Sequence, residues 1–79
     1  MSTSRQDLSE WFDSGVKQGA THMLVVCDTF DHEDYPKYVM DGKPRDVKLG
    51  DMQRLMECYI LDPLKKDEQL SQNRSFNWG

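Results

Sequence analysis

The sequence predicts an α+β fold: an N-terminal amphipathic helix packed on a small antiparallel sheet of two or three strands, with a helical or strand segment at 52–61 and a short C-terminal helix. Three observations lead there. Apolar residues across 4–18 recur at helical spacing, the run 23–27 (Met-Leu-Val-Val-Cys) is apolar on both alternating faces, and Asp41-Gly42 marks a turn after a second β-rich stretch. With 79 residues, 37% of them hydrophobic, one small domain over 1–79 is expected and a two-domain enzyme is excluded.

Each element has its own justification. Leu8, Trp11, Phe12 and Val16 share one helical face, while Arg5, Asp7, Glu10, Asp13 and Lys17 fall elsewhere. Ser4 suits the cap of that helix, Asp7 stands where a capping box places its acid, and Gly19 suits the left-handed position that ends it. Residues 22–30 read as a central strand covered on both sides. The polar stretch 31–34 is a connection to a second strand over 35–40, whose Pro36 belongs at its start or on an edge. In 52–61 the stripe Met52, Leu55, Met56, Tyr59 and Ile60 fits a helix behind an Asp51 cap. A two-stranded hairpin is marginal alone, so a third strand there is an equally good expectation. Asp62-Pro63 opens a short polar helix that runs to Gln69 or Leu70, and 71–79 reads as a loose polar tail.

Charge bounds the function. Fourteen acids against ten bases leave −4 and disfavour direct nucleic-acid binding through a basic face. The first 34 residues carry a balance of −5 and the remainder +1, so the excess originates in the N-terminal half and is densest over 28–34. Two cysteines without a dense, even framework suit a reducing compartment, and the longest apolar run of five residues is far short of a membrane span. A cytoplasmic protein with no membrane partner is the expectation.

Chemistry has few footholds. Asp28-Thr29-Phe30-Asp31 resembles the opening of haloacid-dehalogenase-like phosphatases, but the second acid there lies two residues on rather than three. A chain of this length also lacks the sheet, the lysine and the later acids such enzymes use. Asp28, Asp31, His32, Glu33 and Asp34 offer oxygen ligands for Mg²⁺ or Ca²⁺ without EF-hand spacing or its glycine, and such a run is ordinarily a solvated loop. Zinc would require His22, Cys27, His32 and Cys58 to converge with no close-spaced pair among them. Two buried thiols and two partly exposed histidines are the plainer expectation. No glycine-rich phosphate loop and no nucleophile in a strained turn is present, and no cofactor is expected.

The segments Trp11-Phe12, Gly19-Ala20-Thr21-His22-Met23, Val25-Val26-Cys27-Asp28-Thr29-Phe30-Asp31-His32-Glu33-Asp34-Tyr35-Pro36 and Met52-Gln53-Arg54 together resemble a family of small bacterial and phage proteins, over roughly residues 8–61. That resemblance carries no catalytic residues to transfer. In size, acidity and lack of catalytic parts the chain is also similar in kind to phage counter-defence proteins, including anti-CRISPR proteins. That likeness implies a non-enzymatic inhibitor that covers a basic nucleic-acid-binding surface of a host protein or nucleoprotein complex such as a CRISPR effector. The residues expected to meet that partner are Asp28, Asp31, Glu33, Asp34 and Tyr35, joined by Glu10 and Asp13. The alternative expectation is a small metal-dependent hydrolase or ligand-binding domain that uses Asp28 and Asp31, with His32 as acid or base.

Overall fold

A computed structural model describes residues 4–72 and 76–78. Helix α1 (Arg5–Gln18) leads into a three-stranded antiparallel sheet of β1 (His22–Asp28), β2 (Glu33–Val39) and β3 (Gln53–Ile60), and helix α2 (Lys66–Leu70) follows. The strand order is β2-β1-β3, so the most apolar strand occupies the centre. This is the α+β architecture that the sequence predicts, with segment 52–61 resolved as a strand.

Helix α1 begins and ends where its side chains dictate. The Ser4 hydroxyl accepts from the Asp7 N–H at 3.1 Å. At the other end Gly19 adopts φ 80°, and the Gly19 and Ala20 N–H groups turn back to the Val16 and Gly15 carbonyls. Leu8 and Phe12 then join Met23, Val25, Tyr59 and Leu61 in one buried cluster. Gly15 sits in the helix interior because the sheet comes close there. A Cβ at that position would lie 2.6 Å from Leu61 Cδ1 and 2.7 Å from the Tyr38 ring. The Tyr38 hydroxyl also donates to the Trp11 carbonyl at 2.8 Å, which ties α1 to β2.

Side chains alternate along β1, so Leu24 and Val26 face away from α1. They pack with Val39 and Cys58 under a second cover made of Val47, Leu49 and Trp78, with Tyr35 and Leu55 at its margin. Val47 and Leu49 belong to the β2-to-β3 connection, which crosses the sheet and includes a short 3₁₀ turn at Pro44–Asp46 with Pro44 buried, and Trp78 comes from the C-terminal segment. The Arg45 guanidinium stacks on the Trp78 ring at 4.9 Å from its centroid. Of the tail expected over 71–79, residues 73–75 and 79 lie outside the described residues. Within the rest, Phe76 bridges Cys58 in parallel, and the Asn77 N–H donates to the Cys58 carbonyl at 3.0 Å.

The helix-like stripe in 52–61 has a structural cause. Val25 pairs with Glu57 but Val26 pairs with Leu55, so Met56 is an extra residue in a bulge. The bulge places Leu55 in the second cluster and Met56 against the first, which breaks strict alternation and imitates helical spacing. Near the end of β3, the buried Gln69 side chain clasps Ile60: its Oε1 accepts from the Ile60 N–H at 2.8 Å and its Nε2 donates to the Ile60 carbonyl at 2.8 Å. A side-chain amide thus substitutes for a neighbouring strand at that edge. The Asp62 carboxylate accepts from Leu64 N–H ahead of α2, with Pro63 in the first position of the 3₁₀ turn Pro63–Lys65. No helix among the described residues is long and apolar enough to cross a membrane.

Candidate functional site

The acidic segment forms a tighter turn than the sequence predicts. Strand β1 ends at Asp28 instead of residue 30, and β2 starts at Glu33 instead of residue 35, so Glu33 and Asp34 belong to the sheet. Two short-range hydrogen bonds make the tight reversal. Asp28 Oδ1 accepts from the Phe30 N–H at 2.9 Å, and Asp31 Oδ1 accepts from the Glu33 N–H at 3.1 Å. His32 takes the left-handed conformation at φ 59°, and its N–H reaches the Asp28 carbonyl at 2.7 Å.

Register distributes the carboxylates around the end of the sheet. Asp28 lies opposite Glu33, and Cys27 lies opposite Asp34. By alternation Glu33 shares the face of Tyr35 and Val39, whereas Asp34 shares the α1 face with Tyr38. Asp31 and Glu33 are exposed, and Asp28 and Asp34 are half-buried. Partial burial and then a hydrogen bond donated by the thiol to Asp34 push Cys27 above its ordinary range, as befits an inert thiol.

The remaining expected site residues are placed less uniformly. Tyr35 is half-buried against the second cluster, and its hydroxyl accepts from Gln53 Nε2, so its ring helps to support the turn. Glu10 and Asp13 are exposed on α1. Asp13 pairs with Lys66 Nζ at 2.8 Å, which directs its charge to α2. The histidines and cysteines also depart from the expectation: His22 is buried, with Nδ1 3.0 Å from the Thr21 hydroxyl, and Cys27 is only half-buried. Burial of His22 follows from its place at the inner end of the central strand, between Val39 and Ile60.

Three residues at this end escape a sequence reading. Phe30, at the tip of the turn, is 81% exposed, and Met52 is 49% exposed. The Thr29 N–H and hydroxyl both donate to the Met52 carbonyl, at 2.7 and 3.0 Å, which sets Asp51 and Met52 beside the turn. Only knowledge that 53–60 pairs with β1 would have revealed Asp51 as a member. Among the described residues, no three His, Cys, Asp or Glu side chains are grouped so as to hold a metal ion. What the arrangement offers chemically is a negative rim with an apolar tip. No family model, no curated protein and no solved structure matches the chain.

Proposed function

We propose that the chain is a non-enzymatic binding protein that presents the turn end of its sheet to a basic partner. The observation that carries this reading is that Asp28, Asp31, Glu33 and Asp34 lie in the β1–β2 turn and its flanks, at the same end of the sheet as Asp51 and the exposed Phe30. Opposite charge speeds and orients encounter, while a solvent-exposed aromatic supplies the desolvated anchor that slows dissociation. An anti-CRISPR-like role follows as the specific form of the proposal: the acidic end covers the lysine- and arginine-lined path that nucleic acid follows on a CRISPR effector complex. Metal-dependent hydrolysis at Asp28 and Asp31 has no comparable support, since one oxygen of each carboxylate is engaged by the backbone of its own turn.

Competition tests the specific form. Labelled target DNA is bound to a purified effector and guide RNA complex, and increasing amounts of the protein are added. The proposal expects stoichiometric displacement that weakens as salt rises. DNA that stays bound at saturating protein removes that effector as the partner. Calorimetric titration with Mg²⁺, Mn²⁺ and Ca²⁺ addresses the metal reading, and saturable binding with a thermal shift would revive it.

A further inference from the structure

The outer edge of β3 is closed in two pieces by different means. The Gln69 amide clasps Ile60 from α2, whereas residues 76–78 lie over Cys58. Cys58 is fully buried, and its Sγ donates to the Asn77 carbonyl at 3.2 Å while its own carbonyl accepts from the Asn77 N–H at 3.0 Å. Trp78 completes this cover, half-buried against the second cluster with Arg45 stacked on it. Phe76 is 47% exposed, and the pairing described for this segment is an isolated bridge rather than a ladder. Segments of that kind occupy the low end of the range of local opening energies, well below the global one.

We propose that residues 76–78 act as a detachable strap that gates the Cys58 thiol and the adjoining edge of β3, and that the strap opens while the rest of the domain stays folded. Closed, it removes the thiol from solvent and satisfies the Cys58 carbonyl. Open, it exposes the thiol and leaves that carbonyl available to an extended chain. Burial also holds the closed thiol protonated, pushed up from 9.0 to about 11, so reactivity reports the open form.

Thiol labelling with Ellman's reagent tests the strap, with full-length protein carrying Cys27→Ser so that Cys58 is the reporter. The labelling rate in native buffer is compared among this background, Trp78→Ala, and Val16→Ala on the opposite face of the sheet. The strap predicts acceleration of about tenfold or more by Trp78→Ala, and an unchanged rate for Val16→Ala despite its lower melting temperature. Labelling that follows global stability in both variants, or that Trp78→Ala leaves unchanged, overturns the proposal. A urea series supplies the second criterion: a rate insensitive to low urea marks local opening, and a rate that rises with the full unfolding slope marks its absence.

Discussion

Along β1 the side chains of residues 22–26 are buried on both faces, whereas Cys27 and Asp28 are half-buried and the chain then emerges into a turn whose Phe30 faces solvent. One strand therefore joins two regions under different constraints. In the body, Phe12, Met23, Val25 and Tyr59 fill one side and Leu24, Val26 and Cys58 the other, with each side chain fully or almost fully removed from water. Past residue 28, apolar burial gives way to hydrogen bonds that the Asp28 and Asp31 carboxylates accept from the Phe30 and Glu33 N–H groups, which shape the turn without needing a core. Stability thus belongs to the body, and the turn end is left free to carry charge and an exposed aromatic ring.

Substitutions separate the two regions by size of effect. Phe12→Ala empties the centre of the first cluster and is expected to cost about 3–5 kcal/mol, enough to abolish a cooperative thermal transition in a domain this small. Gln69→Ala strips the Ile60 N–H of its partner, leaves the Ile60 carbonyl with the Asp62 N–H alone, and should cost about 1–3 kcal/mol by urea denaturation. Gly15→Ala pits a gain of about 1 kcal/mol in helix propensity against overlap with Leu61 and Tyr38, and a net loss of about 1–2 kcal/mol is expected. A neutral or stabilising result would mean that α1 can move away from the sheet.

Alkali should also act on the body. The Cys58 thiol keeps its proton in the folded state up to about 11 against 9.0 when unfolded, chiefly through burial. Its contribution is complete below pH 9 and is lost as pH rises through about 11, because the unfolded chain releases the proton first. Burial and then a hydrogen bond to Glu57 push Tyr59 further up, which extends the decline. Denaturant midpoints measured across this range should fall steadily for the native sequence and less steeply for Cys58→Ala. The smallest effects belong to the turn: the combined Asp31→Lys, Glu33→Lys and Asp34→Lys variant, which loses the Asp31 bond to the Glu33 N–H, should cost about 0.5–1.5 kcal/mol, and Phe30→Ala no more than about 0.5 kcal/mol.

How far the fold could be read in advance depended on periodicity. Helix α1 announces itself through Leu8, Phe12 and Val16 with caps at Ser4 and Gly19, and β1 through an apolar run too short for anything but a buried strand. Segment 53–60 stayed ambiguous because the bulge at Met56 disturbs the alternation that identifies a strand. The cover formed by Pro44, Val47, Leu49 and Trp78 has no period at all, since an irregular segment buries residues by position rather than by repeat. For the site, Asp28, Asp31, Glu33 and Asp34 were visible as a charge run. Asp51 and Met52 join it through the pairing of Thr29 with Met52, a long-range contact with no local signature. The pairing of Asp13 with Lys66, 53 positions away, likewise has no local signature.

The most direct test of the division between body and turn combines binding and melting on one variant. The Asp31→Lys, Glu33→Lys and Asp34→Lys protein is compared with the native sequence for association with the effector and guide RNA complex proposed as its partner, and for its thermal transition. The predicted result is a cooperative transition only slightly below the native one, with binding abolished. Retention of native association kinetics by the folded variant would contradict the account.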